Sequence, residues 1–167
     1  MTASQPASWE PPERVAGPAP GVEFADFGPR LVAYLVDVLI VTAVVIVGTI
    51  AWGVVAAGTG GITGSGMDAA ATAWLTIMIV VVTIIGLAYF PYFWARSGAT
   101  PGMKMMGLRV VRDADGGPIS TGQAILRLVG YWVSGLVLYL GYIWVLIDKR
   151  RRGWHDLIAG TVVIKAP

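Results

Sequence analysis

Three long apolar runs, joined by two polar stretches, set the pattern of this chain. Leu31 to Ala57 is apolar apart from Asp37 and a few Tyr and Thr residues. Ala69 to Ala95 carries no charge, and Ala124 to Ile147 carries only Arg127. The first run is rich in Val, Ile and Thr, which taken locally would suggest strand. Length decides otherwise, because a strand does not run this far unbroken, whereas about 20 apolar residues of helix cross the roughly 30 Å core of a bilayer. The pattern predicts helices over about residues 30–57, 70–95 and 122–147. Gly28-Pro29 is a fitting start for the first, since proline is tolerated in the first turn. The aromatic stretch Tyr89-Phe90-Pro91-Tyr92-Phe93-Trp94 ends the second as expected at a membrane–water interface, with a kink expected at Pro91.

The stretches between and around the runs differ in kind. Gly58 to Gly66 holds five glycines and reads as a flexible connector. Residues 96–121 form a polar loop in which Leu108 to Val111 is β-rich, followed by a turn signal at Asp113 to Pro118. Ser120 or Thr121 is the expected cap of the third helix. Thr161 to Ile164 is a second β-like run. A lone strand leaves its backbone unpaired, so the two are expected to pair. Residues 1–27 contain five prolines and a net charge of 1 − 4 = −3, with no apolar periodicity. They read as a disordered tail, and not as a secretory signal, which would begin basic.

Composition sharpens the class. Hydrophobic residues make up 56% and charged residues 13% of 167, too little charge to cover a soluble surface. A soluble enzyme, a disordered chain and a coiled coil are therefore disfavoured. With no cysteine, disulfides, thiolate metal sites and cysteine nucleophiles are excluded. The single histidine, His155, leaves few ways to build a metal site, and no metal, cofactor or catalytic residue is expected. No glycine stretch has the P-loop pattern.

The distribution of charge gives a topology. Residues 31–95 contain no Lys or Arg. Arg96, Lys104, Arg109, Arg112 and Arg127 follow the second run, and Lys149 to Arg152 and Lys165 follow the third. Short loops rich in cations stay cytoplasmic. The first two runs then form a helical hairpin with its glycine-rich tip outside and both termini inside. The third run has basic flanks on both sides, so a full span would carry five cations outward. Its glycines permit a broken, re-entrant pair of helices instead; the re-entrant reading is favoured, with the spanning one kept open.

Arg30 and Asp37 are the most informative polar residues, since charges in an apolar run cost several kcal/mol or, by insertion scales, about 2.5–3.5 each. They lie two helical turns apart on one face, about 10 Å along the axis. With Thr100 to Val111, Leu126-Arg127 and Asp148 to Thr161, they resemble the RDD family of bacterial membrane proteins over roughly residues 24–165. Arg30 and Asp37 match the family's Arg and first Asp; its second Asp matches Asp156, or alternatively Asp148. The resemblance implies an all-α integral membrane protein of the bacterial plasma membrane, residues 28–167, with a cytoplasmic β pair and a cytoplasmic C-terminal motif at 148–167. It also implies transport of ions or small solutes. The rival is a non-transporting accessory or assembly subunit of a larger membrane complex.

The candidate charged cluster is Arg30, Asp37, Arg127, Asp148, His155 and Asp156. Asp37 is expected to be buried against Arg127 or the His155-Asp156 region, with Arg30 joining Asp156 or Asp148. As an ion or proton site the cluster would serve transport; as a structural link it would fix the first helix to the third segment. His155-Asp156 could relay a proton, or could be a helix N-terminal carboxylate with a local hydrogen bond. Lys149 to Arg152 reads as a lipid-headgroup patch rather than a nucleic-acid surface. The bilayer is the expected partner. Thr49, Gly53 and Ala57 form a small-residue stripe suited equally to homo-oligomer contact and to internal packing.

Overall fold

The computed structural model describes Gly17, residues 21–63 and residues 66–166; the earlier part of the expected tail lies outside them. Two helices, α1 (Phe27–Gly58) and α2 (Ala69–Ser97), are long and apolar enough to cross a membrane. Both outrun their predicted limits, by two or three residues at the end where α1 starts and α2 finishes and by one at the other. α2 stays helical through Pro91 to Ser97. Its aromatic end is packed there, with Phe90 stacked on Tyr34 at 6.1 Å and Trp94 on Tyr131 at 5.5 Å.

At the opposite end the glycine connector is more structured than expected. Two short strands, β1 (Ile62–Thr63) and β2 (Gly66–Met67), pair antiparallel. Gly61 N–H donates to Ala56 O at 2.9 Å, and the Asp68 carboxylate accepts Ala71 N–H at 2.7 Å, capping α2.

The polar stretches assemble into a cap at the α1-start, α2-end side. A short helix α3 (Pro101–Met105) stands where only loop was expected. Strands β3 (Leu108–Arg112) and β4 (Thr161–Lys165) pair antiparallel from Leu108↔Lys165 to Arg112↔Thr161, the pairing anticipated above. The segment before α1 is not wholly a tail. Phe24 bridges Ile164, Ala25 N–H donates to Val163 O, and Lys165 N–H donates to Glu23 O. It covers the open edge of β4, which would otherwise expose unpaired backbone. Ala25, Leu108, Val110 and Val163 meet Trp94 and Met103 in the cap's core.

The third apolar run is one predicted helix but two observed. Helix α4 (Thr121–Leu136) and helix α5 (Leu140–Ile143), which continues as a 3₁₀ turn to Leu146, are bent by 113°. Leu138 and Tyr139 sit at positive φ, 49° and 61°, in the break. The run leaves the cap after β3 and returns to it before β4, so both of its flanks end in one two-stranded sheet. The two flanks of the bent run therefore lie at the same end of the fold. Helix α6 (Trp154–Ala159) completes the return and packs along α4. A Cβ on Gly130 would lie 2.6 Å from His155 Cα, so the contact requires glycine there.

Candidate functional site

Two buried carboxylates face the cap, and each is held differently. Asp37, 1% exposed, lies on α1. It accepts three hydrogen bonds from uncharged donors: Tyr89 Oη at 3.0 Å, Thr100 Oγ1 at 2.5 Å and Gly102 N–H at 2.8 Å. The sequence Thr100-Pro101-Gly102 builds this cradle. Thr100 caps α3, its Oγ1 accepting Met103 N–H at 3.2 Å, and Pro101 fits the first turn. The first turn of a helix leaves N–H groups without helical partners, and Gly102 turns one of these onto Asp37. A Cβ on Gly102 would stand 2.2 Å from Ala33 O, so only glycine lets α3 approach α1 this closely.

Asp156 is held by cations. Arg30 Nη1 donates to Oδ2 at 2.7 Å, and Arg127 Nη1 donates to Oδ1. Gly153 N–H donates to Oδ2 at 3.0 Å, as a carboxylate in the first turn of a helix commonly receives. Thr161 Oγ1 accepts from Arg127 at 2.7 Å. Arg30 also reaches Ala25 O at 3.2 Å and Val163 O at 3.4 Å, so it ties α1 to the pre-α1 segment, β4 and α6. Burial would raise the Asp156 pKa, but Arg127 and Arg30 outweigh it and hold the carboxyl below the usual carboxylate range. Burial pushes His155 down to about 3, so its ring is neutral near pH 7. That ring lies 4.1 Å from Tyr131, centroid to centroid, and its Nε2 is 3.5 Å from Asp156 Oδ2.

The expected cluster is therefore brought together only in part. Arg30, Arg127, His155 and Asp156 converge. Asp37 does not join them: the end of α3 packs on α1 at Ala33 and Asp37 and supplies donors before a guanidinium can. Among the described residues no cation pairs with it. Asp148 belongs to a third, more exposed group. It accepts from Arg152 Nε at 3.1 Å and from the N–H groups of Arg150 and Arg152 at 3.0 Å. Although burial opposes it, Arg152 holds Asp148 below the usual range.

Asp113 pairs with Arg150 at 2.7 Å and Arg152 at 3.1 Å, and Asp26 lies 3.6 Å from Arg151. Three of the four cations in the expected headgroup patch are thus met by carboxylates within the chain. Tyr89, Thr100, Gly102 and Thr161 were not anticipated as partners. The Thr-Pro helix-start signature was the signal that could have revealed two of them.

Two cavities lie on either hand of Arg30, Tyr34 and Tyr131. One of about 30 Å³ is bounded by Asp37, Thr100, Trp94, Arg127 and Arg30. A cleft of about 360 Å³ is walled by α1, α4, α5 and His155, including Tyr139 and Tyr142. Arg30, Tyr34 and Tyr131 line both.

A polar cap clasping the ends of two apolar helices, with buried Arg and Asp at the junction, defines a helical membrane protein. The RDD family model matches residues 24–160, and the chain belongs to the RDD family. It is 34% identical over 92 residues to the "Uncharacterized protein YxaI" of Bacillus subtilis, covering 55% of this chain and 60% of that protein. It is 29% identical over 102 residues to the "Proline-rich antigen" of Mycobacterium leprae, covering 61% and 39%. It is 31% identical over 90 residues to an "Uncharacterized protein" of Haemophilus influenzae, covering 52% and 57%. The chain thus spans less than two thirds of the length of each of these relatives. No solved structure matches it.

Proposed function

We propose that this protein is a multi-pass protein of the bacterial plasma membrane that moves ions or small solutes, with Asp37 as the exchanging group and no catalytic step. One observation carries the reading: a buried carboxylate, held by hydroxyl and amide donors and not by a cation, beside a small cavity that shares three wall residues with a wider cleft. A carboxylate already neutralised by guanidinium has little to exchange; Asp37 is not in that state. The bilayer is its partner, and the absence of cations from residues 31–95 supports a cytoplasmic cap and cytoplasmic termini.

The test is flux into liposomes containing the purified protein, with Asp37→Asn as control. Transport lost in a variant that remains folded supports the reading; equal flux in both, or none in the wild type, ends it. For topology, cysteines introduced at Met105 and Ala166 should both resist an impermeant thiol reagent in intact cells.

An accessory role in a larger assembly is favoured by a different feature. Thr49 and Ala57 of the small-residue stripe are exposed, and a Cβ on Gly53 would touch nothing, so no described residue packs on the stripe. Cross-linking along it in native membranes would separate a self-contact from a contact with another protein.

A further inference from the structure

The cavity of about 30 Å³ lies between the two carboxylate sites, and its polar groups are unevenly matched. Two of its wall residues carry buried N–H groups with no acceptor among the described residues: Arg127 Nε and Trp94 Nε1. The Arg127 guanidinium lies 4.9 Å over the Trp94 ring, so the two side chains are held against one another. Buried donors are nearly always satisfied, by protein or by ordered water. Across the cavity, Asp37 accepts two hydrogen bonds at Oδ1 and one at Oδ2. A carboxylate offers about four acceptor positions, so one is left on Oδ2. In this measure a water needs roughly 10–15 Å³ and two or more polar partners.

We propose that this cavity is a site for an internal water that accepts from Arg127 and Trp94 and donates to Asp37, and that it does not admit an alkali cation. The water joins two separately anchored carboxylates into one hydrogen-bonded network, from Tyr89 and Thr100 through Asp37 and Arg127 to Asp156. The exclusion follows from the lining. A hard cation in a protein site takes about six or more oxygen ligands, while this wall supplies few oxygens and two guanidiniums, Arg30 and Arg127. Its two atoms without any partner among the described residues, Arg127 Nε and Trp94 Nε1, are donors, which need an acceptor. The exclusion of alkali cations rests on the transport reading for its significance, but the water site does not.

The test is magnetisation transfer between water and indole N–H protons in the full-length protein, labelled with ¹⁵N-indole tryptophan and held in lipid nanodiscs. The Trp94 signal is assigned by its loss in Trp94→Phe. A Trp94 cross-peak at the water frequency, unchanged between sodium-free and sodium-rich buffer, is expected. Its absence from the folded protein overturns the site; its loss or displacement on adding sodium overturns the exclusion. Asp37→Asn provides a second arm should Trp94→Phe fail to fold. No hydrogen bond links Asp37 to Trp94 directly, so a network through water predicts that Asp37→Asn shifts one indole signal, the one that shows the water cross-peak. An unmoved indole signal refutes the bridge. Absent flux in liposomes with the cross-peak present would remove the transport reading and leave the water.

Discussion

Asp37 and Asp156 are both fully buried carboxylates at the same end of one helical fold, yet one is met by neutral donors and the other by two guanidiniums. The difference separates two tasks. Around Asp156, charges from α1 and α4 close on a carboxylate of α6, so that three distant parts of the chain depend on a single side chain. Around Asp37, the donors are two hydroxyls and one backbone amide, none of them a cation. Ion pairing makes the first site a fastener, while the second holds a carboxylate with no paired cation among the described residues.

The largest effect that the comparison predicts is at the fastener. Removing one partner of a buried ion pair leaves an uncompensated charge and costs about 3–5 kcal/mol. Asp156→Asn would leave Arg30 and Arg127 both without their anion. Thermal unfolding in detergent should show a severe loss of stability, or no folded protein should be recovered. If Asp156→Asn unfolded like the wild type, Asp156 would not be the fastener.

Acid should act next, through the same site. The unfolded chain protonates His155 near its ordinary value of 6.5, but the folded protein does not until about 3. Between those values the unfolded state binds more protons, so stability falls as pH drops through that window. At pH 5 the loss is roughly 2 kcal/mol, of the order of 4–8 °C in Tm for a chain of this size. Asp156, held below its ordinary value of 3.8, adds a further loss only at lower pH. His155→Phe should flatten the upper part of the profile and leave the lower part. A wild-type Tm unchanged from pH 7 to pH 4.5 would show that His155 is not buried in the neutral form.

Asp37→Asn should cost less, about 1–3 kcal/mol. The asparagine oxygen can still accept from part of the cradle, while its amide must face a donor that the carboxylate accepted. No cation is stranded by the change. The contrast between the two substitutions, measured under one set of conditions, is the direct test of the comparison; equal destabilisation would mean that Asp37 is also a fastener.

What depends on long-range pattern is legible in the sequence; where short elements dock is not. Two apolar runs of such length could hardly be anything but helices, and two β-like runs outside them had each other to pair with. Basic flanks on both sides of Ala124 to Ile147 argued for a segment that returns, and its flanks do share a sheet. The pairing of Arg30 with Asp156 followed from counting the polar groups in apolar surroundings. Asp37 shares a cavity wall with Arg127 but takes its hydrogen bonds elsewhere, from donors that a count of charges alone does not find. Its donors are a cap hydroxyl, a free N–H of a five-residue helix and a tyrosine from an aromatic stretch read as an interface belt. Glycine at 102 lets α3 approach α1, and glycine at 130 lets α6 approach α4, by steric clearance, which linear periodicity does not encode.

The smallest effect belongs to the third acidic group, where Asp148 and Asp113 meet Arg150 and Arg152. Here the side chains are partly exposed: Arg152 and Asp148 retain 22% and 14% of their surface, and Arg150 39%. Water and salt screen such pairs, and each typically contributes less than about 1 kcal/mol. Asp148 differs from an ordinary surface partner because it also accepts two backbone N–H groups in the turn where Arg151 adopts a φ of 55°. Arg152→Gln should therefore lower Tm by no more than a few degrees, with the difference shrinking in high salt. Asp148→Asn keeps an oxygen for the turn and should behave similarly, whereas Asp148→Ala leaves both N–H groups to solvent and should cost more than either. If Arg152→Gln were as damaging as Asp148→Ala, the ion pair and not the turn would be holding the return segment to the cap.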